Sequence, residues 1–305
     1  MIHTRTVRLP HGIDLVCRTA GEAGRPVLLF LHGFPEAAFV WDELLQHFAQ
    51  PAHGGYHCVA PNLRGYAGSS APADVAAYRA KHLVQDIAAL IADITADSPD
   101  PGRVHALIAH DWGGAVAWGV AAQHPAQVRR LAILNAPHAA TFLRDLQADL
   151  AQQAASAYMN FLVRPDAEAL LAENDFARLW PFFTNMGDGG RCDWLTEPLR
   201  EQYRAAWRQG LNGPLNYYRA SPLRPATAQD PGAQAVQLPD ALLRVTVPTL
   251  VVWGLRDHAL LPGLLDGLDA HVPDLRIERL ADASHWLLHE RPAQVQALLA
   301  DFVQG

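Results

Sequence analysis

Hydrophobic positions fall in two alternating patterns along this chain. Short, unbroken apolar runs occur at residues 26–31, 104–109, 128–134 and 248–254, and a weaker one at 56–61. Runs of this length, stopped by Gly or Pro, suit strands buried on both faces of a parallel sheet. Residues 275–280 add a strand of mixed polarity, and residues 3–18, mixed around Gly12, read as a hairpin. Between the runs the period changes to that of a helix. Val84, Ile87, Ile91 and Ile94 recur at helical spacing, residues 112–124 form an Ala-rich stretch stopped near Pro125, and Val295, Leu298, Leu299 and Phe302 mark a closing amphipathic helix. Strands alternating with helices predict an α/β fold with a mostly parallel, doubly wound sheet.

From residue 138 the pattern becomes helical and loop-rich, with Pro165, Pro181, Pro198, Pro214, Pro222 and Pro225 interrupting it and aromatic residues concentrated in it. The strand pattern returns near residue 248. Residues 1–137 and 241–305 are therefore predicted to form the core domain, and 138–240 an inserted helical cap. The cap would roof the crevice at the carboxyl ends of the strands, where α/β sheets bind ligands.

The chain has 305 residues, 50% of them hydrophobic and 18% charged, the composition of an ordinary globular protein. Its net charge of −7 and lack of a Lys/Arg cluster argue against nucleic acid and anionic membranes as partners. Cys17, Cys58 and Cys192 are too widely spaced for a disulfide framework or a zinc site. No apolar run reaches membrane-spanning length and the first residues lack a signal-peptide pattern, so a cytoplasmic monomer or homodimer is expected.

The candidate chemistry centres on Asp111. It lies in Ala109-His110-Asp111-Trp112-Gly113, directly after an apolar run. Small residues at two before and two after a nucleophile mark a strand-turn-helix elbow, because the turn leaves no room for larger side chains; here Asp stands where Ser is usual. A carboxylate held there attacks alkyl carbon and gives an ester, so the substrate must carry strain or a good leaving group. Epoxides and alkyl halides qualify.

Hydrolysis of that ester requires a base, a group to orient it and oxyanion donors. His285, after the last strand, is the candidate base, and Asp257, after the 248–254 strand, its partner. The backbone N–H groups of Trp112, at a helix start, and Phe34, in His32-Gly33-Phe34-Pro35-Glu36, are the candidate donors, with Phe34-Pro35 a possible site of a cis bond. No metal and no cofactor are required. Opening an epoxide makes a basic alkoxide that needs a proton donor, a task suited to Tyr. Tyr158, Tyr217 and Tyr218 are the candidates; adjacent residues on a helix point about 100° apart, so only one of Tyr217 and Tyr218 faces the pocket. A departing halide would instead want N–H donors, which the Trp112 indole could supply.

Taken together, His32-Gly33-Phe34-Pro35-Glu36, His110-Asp111-Trp112-Gly113-Gly114, Tyr158, Asn216-Tyr217-Tyr218-Arg219, Asp257 and His285 resemble the soluble epoxide hydrolases of the α/β-hydrolase superfamily along essentially the whole chain. The resemblance implies that Tyr158 and Tyr218 are the paired epoxide-oxygen donors and Tyr217 their packing neighbour, and that the substrate is a small apolar epoxide with water. The pocket is expected to draw on Phe34, Trp112, Phe161, Trp180, Tyr217 and Trp286. Haloalkane dehalogenases share the nucleophile and the Trp after it, but many have Asn at the position of Phe34. Fluoroacetate dehalogenases typically carry Arg at the positions of Trp112 and Ala115. An inactive binding protein is disfavoured because nucleophile, acid, base and oxyanion turn are all present.

Overall fold

In the computed structural model, which describes residues 1–186 and 192–305, eight strands form one sheet in the order β1-β2-β4-β3-β5-β6-β7-β8. They are β1 (His3–Arg8), β2 (Asp14–Ala20), β3 (Val27–Leu31), β4 (His57–Pro61), β5 (Ala106–His110), β6 (Leu131–Leu134), β7 (Thr249–Gly254) and β8 (Leu275–Leu280). The first hairpin is antiparallel and β2 meets β4 antiparallel; every other pairing is parallel. The central strands β3, β5, β6 and β7 are buried at every residue, as their unbroken apolar runs predict. The 128–134 run forms a shorter strand than expected: Val128 joins the sheet only through a single bridge to Val104.

Helices cover both faces. On one side lie α1 (Asp42–Phe48), α11 (Leu287–Glu290) and α12 (Pro292–Gln304); on the other lie α2 (Ala80–Ile94) and α3 (Asp111–Gln123). The strands serve both layers by alternation. Leu29, Leu31, Leu107 and Ala109 pack with α2 and α3, and Leu28, Phe30, Ala106 and Ile108 pack with α1 and α12.

Among the described residues, seven α-helices run between β6 and β7: α4 (Ala139–Ala148), α5 (Leu150–Ala155), α6 (Tyr158–Leu162), α7 (Ala167–Phe176), α8 (Trp180–Asn185), α9 (Glu197–Trp207) and α10 (Asn212–Ala220). Their apolar side chains, including Leu162, Leu171, Phe183, Tyr203 and Leu215, join the same core cluster as α2 and α3. Polar bonds tie this segment to the loops at the strand ends; among them Trp207 Nε1–H donates to Pro35 O (2.7 Å), the Tyr217 hydroxyl to Arg64 O (2.9 Å) and Trp286 Nε1–H to Phe182 O (3.0 Å).

The strand order reverses between β3 and β5. β3 leads outward to β4 on one side, while β5 leads to β6 on the other, so the loops after β3 and β5 diverge and leave a crevice between them. Phe34 follows β3 and Asp111 follows β5.

Candidate active site

Asp111 is the first residue of α3 and has a left-handed backbone, φ 50°. Such a conformation is costly for a residue with a Cβ, on the order of 1–3 kcal/mol, and survives where the surroundings impose it. They do so here by close approach. A Cβ on Gly33 would come within 2.2 Å of Asp111 Oδ1, and one on Gly113 within 2.4 Å of Leu31 O. The two glycines thus let the β3 loop lie directly against the elbow.

That approach gives the two carboxylate oxygens different environments. Oδ1 accepts the Phe34 N–H at 2.7 Å, and Oδ2 faces His285 Nε2 at 3.7 Å. The Trp112 N–H lies in the first turn of α3, where amides have no helical acceptor. The Phe34–Pro35 bond is cis. Behind it, buried His32 secures the loop: burial lowers its pKa to about 4, so the ring is neutral, donating from Nδ1 to Gly33 O and accepting the Leu63 N–H at Nε2.

His285 Nδ1 lies 2.7 Å from Asp257 Oδ2. Asp257 is 2% exposed, yet its oxygens are well occupied: Asn135 Nδ2 donates to Oδ2 (2.6 Å), and the Ala259 and Leu260 amides donate to Oδ1 (2.8 and 2.9 Å). Burial pulls the pKa of His285 down. The charge of Asp257 and its hydrogen bond, followed by the charges of Asp111 and Glu36, outweigh burial and lift it to about 9.

Tyr158, on α6, lines the cavity that holds Asp111, and Tyr218, on α10, lies beside it. Their rings lie 6.3 Å apart, and Tyr218 packs edge-on against Phe34 (5.3 Å) and Trp112 (5.1 Å). Burial, then the charges of Asp111 and Asp257, push Tyr158 well above the usual phenol range; burial, then the neighbouring Tyr158 and Asp111, do the same to Tyr218. A hydrogen bond from the Trp112 side chain partly offsets the rise at Tyr218. Both phenols are therefore protonated donors at neutral pH.

The cavity at Asp111, about 90 Å³, is lined by Trp112, Ala115, Phe142, Tyr158, Met159 and Leu260 among others. Of the residues expected to line it, Trp112 does. Phe34 presents its amide to Asp111 and its ring to Tyr218 and Phe182. The other four take different places. Trp180 sits among Trp207 and Phe183 under the Arg200 and Arg204 guanidinium groups. Phe161 lies beneath Arg164, Trp286 backs the His285 ring, and Tyr217 is turned behind Trp112 toward Arg64. The helical phase of the inserted segment decides these placements, and an aromatic-rich sequence with irregular breaks does not reveal that phase.

Four further side chains form a buried cluster that motif reasoning does not reach. Glu36, 1% exposed, bonds Tyr203 Oη and His289 Nε2 through Oε1, both at 2.7 Å, and its Oε2 faces His110 Nδ1 at 3.4 Å. His110 Nε2 in turn bonds His285 O at 2.9 Å. Burial works against the Glu36 charge, but His289 and His110 more than offset it and hold the carboxyl far below its usual range. Glu36 and His110 flank Pro35 and Asp111 in the motifs; an ionisable residue beside each of these positions was the available signal.

Comparison with known proteins places the chain in a family. A model of the alpha/beta hydrolase fold family matches residues 26–292. The chain is 32% identical over 299 residues to the AB hydrolase superfamily protein YfhM of Bacillus subtilis, covering 97% of this chain and 96% of that one. It is 34% identical to the human protein named epoxide hydrolase 4, covering 93% and 74% of the two chains. Among solved structures, an epoxide hydrolase of Bacillus megaterium superposes with a TM-score of 0.86 at 28% identity, with 99% and 100% coverage. With these relatives along its length, the chain belongs to the epoxide hydrolase branch of the α/β-hydrolase superfamily.

Proposed function

We propose that the protein hydrolyses a small apolar epoxide to a vicinal diol through a covalent ester on Asp111, with residues 138–240 acting as the cap. The observation that carries this reading is a carboxylate held in a left-handed backbone at the wall of an apolar cavity, with the protonated Tyr158 phenol on the same cavity and Tyr218 packed against Phe34 and Trp112 beside it. Asp111 Oδ2 attacks one epoxide carbon as the C–O bond breaks. The electron pair moves to the epoxide oxygen, which takes a proton through its hydrogen bonds to Tyr158 and Tyr218. Ester formation also removes the negative charge of Asp111. That charge holds both phenols and His285 high, so its loss makes the phenols better acids and His285 less basic toward retaining a proton.

His285, now able to be neutral, takes a proton from water while Asp257 stabilises the imidazolium. The water oxygen attacks Asp111 Cγ. The resulting oxyanion at Oδ1 rests on the Phe34 amide, already in place at 2.7 Å, and on the Trp112 amide. Collapse expels the diol oxygen. The two protons of the water restore that oxygen and the tyrosine, and Asp111 returns to a carboxylate.

A halide site would need free N–H donors near the leaving group. The Trp112 side chain is engaged with Tyr218, and Phe34 offers a ring instead of an amide side chain, which favours the epoxide. The test is intact-mass analysis and peptide mapping of His285→Gln after exposure to styrene oxide. An adduct of intact epoxide mass on Asp111 is expected. An alkyl adduct from a bromoalkane, with none from the epoxide, would move the chain to dehalogenation.

A further inference from the structure

Gln152, in α5, is fully buried, and its amide reaches out of the inserted helices to the loop that carries Asp257. Nε2 donates to Ala259 O at 2.8 Å, and Oε1 accepts the Leu261 N–H at 2.9 Å. Nε2 also donates to Ser156 Oγ at 2.8 Å. A backbone carbonyl only accepts and a backbone amide only donates, so a single orientation of the side chain serves all three partners. An apolar residue of the same length would fill the space without desolvating an amide, whereas a buried amide must have its bonds made.

Both groups of partners belong to the site. The Ala259 and Leu260 amides donate to Asp257 Oδ1, so the stretch that fixes the plane of that carboxylate is the stretch Gln152 grips from the other side. The second oxygen of Asp257, Oδ2, holds His285 Nδ1 at 2.7 Å. Ser156 closes α5, and its carbonyl accepts the Met159 amide at 3.1 Å, in the turn from which α6 starts. Tyr158 is the first residue of α6, and Tyr158, Met159 and Leu260 all line the cavity at Asp111. Gln152 stands behind them.

We infer that Gln152 is a positioning residue for both halves of the reaction, fixing the Tyr158 proton donor relative to the Asp257–His285 pair by clamping the start of α6 to the 259–261 loop. This rests on the epoxide reading above and adds a residue that touches neither substrate nor the reacting atoms. Asp257 follows β7 in the core sheet and Tyr158 stands in the inserted segment, so no shared element sets their separation. A misplacement on the order of 1 Å at reacting groups costs about 10²-fold in rate. Without the clamp the loop relaxes, its amides leave Oδ1, and the Asp257 carboxylate turns away from His285.

The test compares the wild type with Gln152→Met, which keeps the length and loses the amide, and with Ser156→Ala, which frees the α6 side alone. Gln152→Asn, whose amide is one methylene short of the loop, replaces Gln152→Met if that variant does not fold. NMR of isotope-labelled histidine reads the His285 titration without substrate, with His285→Gln to assign the signal. Asp257, Asp111, Glu36 and His110 surround that ring and are the same in these variants. The midpoint of about 9 is expected to fall in Gln152→Met by about one pH unit, a loss of about tenfold in proton affinity, and to stay in place in Ser156→Ala. In stopped-flow fluorescence with styrene oxide, Gln152→Met is expected to slow ester formation and ester hydrolysis by about tenfold or more each, and Ser156→Ala to slow ester formation alone. A role in stability only would lower Tm and leave the midpoint and both rates of the folded protein where they were. An unchanged or raised midpoint in Gln152→Met, or rates in both variants equal to those of the wild type, would overturn the clamp. A lowered midpoint with no epoxide opened by any form, wild type included, would uphold the hold on Asp257 and remove the epoxide reading.

Discussion

Asp111 and the two tyrosines form a charge relay in the literal sense that one group's state sets another's. Before attack, the carboxylate raises both phenols and the imidazole; after it, none is raised by that charge. On the proposed mechanism the tyrosines therefore contribute to the first half of the reaction. Tyr218→Phe and Tyr158→Phe are each expected to slow ester formation by about 10²-fold or more, the usual worth of a positioned proton donor, while leaving hydrolysis of a preformed ester within a few fold. Stopped-flow tryptophan fluorescence separates the two phases. A slowed second phase with an unchanged first would remove the donor assignment. Asn135 acts on the other half. It has φ 38°, accepts the Gly254 amide at Oδ1 and donates to Asp257 at 2.6 Å, so it holds the carboxylate that holds His285. Asn135→Ala leaves a buried carboxylate short of one donor, a loss of about 1–3 kcal/mol. The expected effect is a slower ester hydrolysis with an unchanged alkylation rate in the same fluorescence traces.

At the scale of elements, the strands were legible because a strand buried on both faces must be apolar at every position, as β3, β5 and β7 are. Asp111, Asp257 and His285 were legible for a related reason. Each follows a strand, and the sheet brings strand ends together whatever lies between them in sequence. The inserted helices carry no such constraint. Trp180 and Phe161 have the composition of pocket residues, but their direction depends on breaks such as the one inside α7 at Glu173, where the backbone leaves the helical region. Likewise nothing local announces that Glu36 of the β3 loop meets Tyr203 of α9 and His289 of α11. That cluster joins three distant elements, so its loss should be felt by all of them. Tyr203→Phe, which removes one bond to a carboxylate and no volume to speak of, is expected to destabilise by about 1–3 kcal/mol. Glu36→Gln is expected to cost more, since it replaces the buried acceptor shared by Tyr203 and His289 and facing His110. Urea unfolding of the two variants checks the order, and a Glu36→Gln protein as stable as the wild type would show that the buried charge is dispensable.

For the whole molecule, the pKa of His285 sets stability and activity against each other. Its folded value of about 9 lies above the ordinary 6.5. A group raised on folding stabilises the native state fully below its unfolded pKa, and that stabilisation is lost as pH rises through the folded one. The protein should therefore lose stability between about pH 6.5 and 9, and the midpoint is set by the charges of Asp257, Asp111 and Glu36 acting against burial. Ester hydrolysis needs the opposite state, a neutral His285. Once Asp111 is an ester, one of the raising charges is gone, so the neutral form appears at lower pH in the intermediate than in the resting enzyme. Hydrolysis of the ester should accordingly rise with pH to a plateau, with a midpoint below about 9. The two curves can be compared directly. Calorimetric Tm across this range should decline in the wild type and decline less in His285→Gln, which has no proton to lose at that position. Single-turnover hydrolysis in the wild type should reach its plateau while the resting enzyme is still mostly protonated at His285, as read by NMR. Coincident midpoints for the resting histidine and the hydrolytic phase would mean that the charge on Asp111 does not govern its base, and that His285 takes its basicity from Asp257 alone.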